Sequence, residues 1–154
     1  MDDTLHVLIV EARFYEDIAD ELVKGAIAEL EGAGATHERV SVPGAFELPA
    51  AIRFAIKGMH LVGARRRYDA YIALGCVIRG ETTHYDYICG ESARALMDLS
   101  LQYTIALGYG ILTTETREQA WDRARVDGKN KGAVAARAAL RMIDLKRHFG
   151  FHPR

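Results

Sequence analysis

The residues richest in chemistry are Arg79-Gly80-Glu81-Thr82-Thr83-His84-Tyr85-Asp86. An imidazole, three hydroxyls and two carboxylates lie together where an apolar run gives way to a helical one. Thr83-x-x-Asp86 fits a capping pattern, with Thr83 as N-cap and His84 in the first helical turn. The unpaired amides of such a turn attract an anion together with the helix dipole, so a phosphate fits near Glu81 and Thr82. The same positive end disfavours a protonated imidazole, leaving His84 able to accept a proton near neutral pH. An ordinary capped helix with a surface histidine has the same local pattern. Glu81 is also an objection, because a carboxylate beside a phosphate is unfavourable unless it points away or a cation offsets it.

Other segments offer binding rather than proton transfer. Phe14, between Arg13 and Tyr15, follows an apolar run and can stack on a flat heterocycle or simply close the core. Pro43-Gly44-Ala45-Phe46-Glu47-Leu48-Pro49 is a stiff loop with free amides and with Glu47 at a strand edge. It suits hydrogen bonding to a polyol or ring edge, and equally a rigid turn. Glu118 to Lys131 gathers Arg123, Arg125, Lys129 and Lys131 near two helix ends. An arginine fork suits phosphate there, and a solvated face is the plainer reading. Arg65-Arg66-Arg67 reads as a solvated loop.

Several chemistries find no pattern. The six histidines, at His6, His37, His60, His84, His148 and His152, form no H-E-x-x-H or Cys/His pairing, so no metal is expected. There is no Walker A sequence, no G-x-G-x-x-G after the first apolar run, and no G-x-S-x-G around Ser92 or Ser100.

These residues must be positioned by regular elements, and the chain alternates two kinds. Leu5 to Val10, Arg39 to Val42, Tyr71 to Ile78 and Ala106 to Leu112 are short runs of buried-strand type. Between them, apolar residues recur at helical spacing: Ile18, Leu22, Val23, Ala26, Ile27 and Leu30, stopped by Gly32 and Gly34, then Ile52, Ala55, Ile56 and Met59 from near Pro49. A long helix is expected from about Thr83 to Tyr103. Thr116-x-x-Gln119 is a capping box opening a short helix with Ala120, Trp121 and Ala124. A last helix, about Gly132 to Phe149, ends on Lys146, Arg147 and His148 before Gly150. Such alternation dictates a parallel sheet with right-handed crossovers: a flavodoxin-like α/β three-layer sandwich of four strands, with helices on both faces. Ligands of such sheets bind at the carboxyl ends of the strands, which selects the loops Glu11–Glu16, Pro43–Leu48, Arg79–His84 and Thr113–Thr116.

The totals agree with one domain over residues 1–154. Hydrophobic residues make up 49% and charged residues 27%, close to globular averages, so disorder is excluded. With 20 Lys+Arg against 21 Asp+Glu, the net charge of −1 gives no pull toward nucleic acid or membrane. The longest uncharged run, Leu99 to Thr114, is too short to span a bilayer. Cys76 and Cys89 form no C-x-x-C pair and no signal peptide is evident, so the expected compartment is the reducing cytoplasm.

Taken together, five pieces resemble the 6,7-dimethyl-8-ribityllumazine synthase family of riboflavin biosynthesis. They are Ala12-Arg13-Phe14, Val42 to Pro49, Ala73 to Tyr87, Gly110 to Glu115 and Asn130-Lys131-Gly132, in family order over residues 5 to 149. The resemblance implies condensation of 5-amino-6-(D-ribitylamino)uracil with 3,4-dihydroxy-2-butanone 4-phosphate, releasing phosphate and water, with no cofactor. It implies that Phe14 stacks on the pyrimidine, and that Ala45, Phe46 and Glu47, with Cys76, Val77 and Ile78, hold the uracil and ribityl chain. Glu81 and Thr82 then bind the phosphate, largely through backbone and hydroxyl groups, and His84 moves protons. In the family the site lies between subunits of a pentamer, so a neighbour supplies the positions of Tyr109, Arg123 and Lys131. Some members build a sixty-subunit shell. The turn Arg125 to Asn130 departs from the glycine-bearing turn common in those members, so a free homopentamer is expected. Tyr15 stands where asparagine is frequent, Tyr109 where phenylalanine is common, and Cys76 where small or polar residues often sit. These departures leave an alternative, a non-catalytic paralogue binding a lumazine or flavin on the same oligomeric scaffold.

Overall fold

The structure, a computed structural model, describes residues 4–61 and 68–151; Arg65-Arg66-Arg67 and His152 lie outside the described residues. Its strands are β1 (His6–Ala12), β2 (Thr36–Val42), β3 (Ala70–Ile78) and β4 (Ala106–Thr114). They form one parallel sheet in the order β2-β1-β3-β4. Its helices are α1 (Glu16–Gly32), α2 (Leu48–Met59), α3 (His84–Tyr103), α4 (Arg117–Ala124) and α5 (Lys131–His148), and a 3-10 turn at Ala45–Glu47 precedes α2.

Both faces of β1 and β3 are covered, which is why their sequences are apolar without alternation. On one face Val7, Ile9, Ile72 and Leu74 pack against Ile18, Leu22 and Ala26 of α1, Ala120 and Ala124 of α4, and Ala135, Ala139 and Ile143 of α5. On the other, Leu8, Val10, Tyr71 and Ala73 meet Leu48, Ile52 and Ile56 of α2 and Leu96 of α3. The expected three-layer α/β architecture is the one observed, with helices on both faces of a four-stranded parallel sheet. None of the described helices is long and apolar enough to cross a membrane.

The differences from expectation have local causes. β2 begins at Thr36 rather than Arg39, because this edge strand is held by its backbone ladder to β1, which polar Thr36-His37-Glu38 does not advertise. Glu11, expected in a loop, lies inside β1 and is only 2% exposed. The cap expected at Thr83 does not form: Thr83 has helical backbone angles (φ −74°, ψ 0°) that keep its side chain from folding over the next amides. Thr82 Oγ1 instead accepts a long bond from the His84 amide at 3.4 Å, and Asp86 turns to Arg79. The capping box at Thr116 does form. Thr116 Oγ1 accepts from the Gln119 amide at 3.2 Å, and Gln119 Oε1 accepts from the Thr116 amide at 3.4 Å.

Candidate active site

The chain leaves β1 toward β2 on one side and later returns to β3 on the other. The loops at the carboxyl ends of β1 and β3 therefore diverge, and a crevice opens between them. There a cavity of about 590 Å³ is lined by Phe14 and Tyr15 after β1, Pro43 to Glu47 after β2, Cys76, Val77 and Ile78 of β3, and His84 and Ile88 of α3. Phe14, Ala45, Phe46, Glu47, Cys76, Val77, Ile78 and His84, all chosen from sequence, thus share one wall system. Tyr15, Pro43 and Gly44 belong to segments the sequence already singled out. Ile88 carried no local signal, and it reaches the cavity because it lies one helical turn beyond His84.

Phe14 is 72% exposed and Phe46 59%, so neither aromatic closes the core. Phe14 rests edge-on against Tyr15, with centroids 5.0 Å apart and planes at 73°. Tyr15 is in turn covered by Arg117, 5.9 Å from its ring centroid and ion-paired to Asp17. The Cys76 thiol is buried in the wall, and that burial pushes its pKa up to about 12. It therefore stays protonated at physiological pH and acts as a small apolar lining group, not a nucleophile.

Glu81 and Thr82 are exposed beside the cavity without lining it. Among the described residues, the amides of Glu81, Thr82 and Thr83 donate to no backbone carbonyl. Their loop is braced from behind by Arg79. Its guanidinium meets Glu115 at 2.8 Å and Asp86 at 3.5 Å, lies 4.3 Å from the Tyr85 ring centroid, and its amide donates to Thr114 O at 2.9 Å.

Tyr109, Arg123 and Lys131 do not line the chain's own cavity. Tyr109 projects from β4, and burial raises its phenol pKa. The four cations grouped by sequence separate into two kinds. Arg125 pairs with Asp122 and Asp127, and Lys129 with Asp122. Arg123 and Lys131 have no carboxylate partner among the described residues. Arg123 donates to the Gln119 carbonyl at 3.1 Å. Lys131 is the first residue of α5, where the helix dipole disfavours a cation. Among the described residues no group of His, Cys, Asp and Glu can hold a metal ion.

Comparison with known proteins agrees with this geometry. The family model for 6,7-dimethyl-8-ribityllumazine synthase matches residues 4–147. A protein of that name from Bartonella tribocorum is 56% identical over 145 residues, 94% of this chain and 92% of the relative. "6,7-dimethyl-8-ribityllumazine synthase 1" of Rhizobium meliloti is 57% identical over 146 residues, 95% and 94% of the two chains. Its namesake in Rhodopseudomonas palustris is 58% identical over 141 residues, 92% and 85%. With a cavity at the switch point, a histidine at the start of α3 and relatives of this likeness over nearly its whole length, the chain belongs to the 6,7-dimethyl-8-ribityllumazine synthase family.

Proposed function

We propose that the protein condenses 5-amino-6-(D-ribitylamino)uracil with 3,4-dihydroxy-2-butanone 4-phosphate to 6,7-dimethyl-8-ribityllumazine, with release of phosphate and water. The observation carrying this reading is the convergence of Phe14, Phe46 and His84 on one cavity beside the open amides of Glu81 and Thr82. The uracil ring stacks on Phe14. Ala45, Phe46 and Glu47 hold it and the ribityl chain against the Cys76-Val77-Ile78 wall. The butanone phosphate lies on the Glu81–Thr82 loop, its carbonyl toward His84.

Much of the rate comes from holding the amine against the ketone, which removes the entropy cost of a bimolecular encounter. The amine adds to the carbonyl and water leaves, giving the imine. A carbon-bound proton is then lost as the phosphate departs, the enol so formed tautomerises to a ketone, and the ribitylamino nitrogen adds to that ketone and expels a second water, closing the ring. Each step moves a proton, and His84 is the titratable side chain on the cavity wall placed to move it. Open amides steady the phosphate as it leaves.

Among the described residues no lysine or arginine lines the chain's own cavity, and Arg123 and Lys131 stand elsewhere without carboxylate partners. Together with Tyr109 they serve the cavity of a neighbouring copy, so the working unit is a homo-oligomer, a pentamer in our reading. Supporting this, α3 buries only Ser92 and Leu96 and leaves Met97 and Leu101 exposed, as Phe54 is on α2. Both cysteines are free, which suits action in the cytoplasm. Mixing the purified protein with both substrates and following lumazine absorbance tests the reading. Product forms well above the uncatalysed background; a rate equal to background would leave the non-catalytic binding protein as the better account.

A further inference from the structure

Glu11 is a charged side chain inside the sheet that the reaction itself does not use. Burial of a carboxylate is costly unless it is fully paired, and here it is. Glu11 Oε1 accepts from Arg13 Nη1 at 2.6 Å and from Arg39 Nη2 at 3.0 Å, and Oε2 accepts from Arg39 Nε at 2.8 Å. Arg13 also pairs with Asp20 of α1, and its amide donates to Val42 O at 3.2 Å.

The positions of these partners in the chain give the arrangement its meaning. Arg13 immediately precedes Phe14, and Val42 immediately precedes the Pro43–Glu47 loop. Glu11 thus ties Arg13, at the exit of β1, to Arg39 in the middle of β2, and the Arg13 amide holds Val42 at the exit of β2; the two exits lead into the Phe14 and Pro43–Glu47 walls of the cavity. Phe14, being 72% exposed, cannot be located by core packing. A stacking surface of that kind depends on the backbone beneath it.

We propose that Glu11 is a positioning residue: its buried carboxylate, forked between Arg13 and Arg39, sets the spacing between Phe14 and the Phe46 loop that the pyrimidine ring requires. This rests on the reaction proposed above, and it adds a residue that touches neither substrate. In Glu11→Gln the amide has the same shape, presents one acceptor oxygen, and leaves two guanidinium groups without their shared counter-charge.

The test is steady-state kinetics of Glu11→Gln beside wild type, alone and combined with Phe14→Ala. The KM for the aminouracil rises about tenfold, because small displacements of a binding surface cost that much or more. The kcat and the KM for the butanone phosphate change by less than about twofold, which separates lost pyrimidine binding from general damage. In the Phe14→Ala background the Glu11→Gln effect disappears, since the two residues act through one contact. Equal effects in both backgrounds, or an aminouracil KM unchanged by Glu11→Gln, would overturn the proposal.

If Glu11→Gln does not fold, Arg39→Gln, which breaks two of the three bonds from the half-exposed side, decides by the same KM split. Calorimetric binding of the aminouracil alone separates the two readings. Wild type that binds it without forming product overturns the reaction and leaves the anchor to be scored by binding. A Glu11→Gln protein that binds it as tightly as wild type overturns the anchor alone. No binding by wild type overturns both.

Discussion

His84 opens α3 at the cavity wall, exposed and with its amide bonded to Thr82 Oγ1. The proton-carrier role proposed for it predicts a particular pattern of loss. His84→Ala slows turnover by at most about 100-fold, the lower end of general acid–base contributions, because the reactants condense slowly unaided and positioning survives. The variant assembles as wild type does. Full activity in the lumazine absorbance assay would remove His84 from the chemistry. Residue types alone were informative here to different degrees. Local pattern left Phe14 and His84 open between a binding site and an ordinary structural role, and the family resemblance singled them out. Glu11 was not legible, since a lone acidic residue after an apolar run looks like the start of a loop. Only the three-dimensional placement of Arg13 and Arg39 reveals why the strand continues through it. Burial pushes the Glu11 carboxyl up, and the hydrogen bonds from Arg39 and Arg13 outweigh this and hold it below its ordinary value.

At the scale of elements, the crossing of α1 and α5 is the tightest contact that bears on the site. A Cβ on Gly132 would lie 1.9 Å from the Leu22 carbonyl oxygen, and one on Gly25 would lie 2.2 Å from Asn130 Oδ1. The two helices therefore touch backbone to backbone, just where α5 begins and Lys131 projects. Gly132→Ala must push them apart. Its expected cost is about 1–3 kcal/mol or more, the range for overpacking a close contact. A denaturant midpoint equal to wild type would contradict this packing. Helical periodicity made α1 legible, the basic last turn before Gly150 made α5 legible, and the Thr116 capping box made the start of α4 legible to the residue. The start of α3 at His84 was legible as well, but the side-chain cap that Thr83-x-x-Asp86 suggests is one that the backbone at Thr83 does not permit. Sequence patterns report which residues can cap, while the φ and ψ imposed by the preceding loop decide whether they do.

At the scale of the whole molecule, the described residues that line the cavity include no lysine or arginine. If neighbouring copies complete each other's sites, two impaired variants repair one another. His84→Ala and Arg123→Ala subunits, unfolded together and reassembled, regain activity above the sum of the separately treated proteins, because some interfaces then carry both intact residues. Activity no greater than that sum would show that each chain works alone. The strand–helix alternation, and with it the parallel three-layer sandwich, was determined by the sequence itself: periodicity of apolar residues is local, and burial on both faces follows from it. So was the family, through short segments whose residue types survive without knowledge of their neighbours in space. What only the tertiary structure decided was which residues meet. Strand order places the loops after β1, β2 and β3 around one crevice, Arg125 and Lys129 are paired while Arg123 and Lys131 have no carboxylate partner among the described residues, and a buried carboxylate joins the end of β1 to Arg39 of β2, 28 residues further along the chain. These are contacts between distant segments, set by packing and charge in space, and no spacing along the chain encodes them.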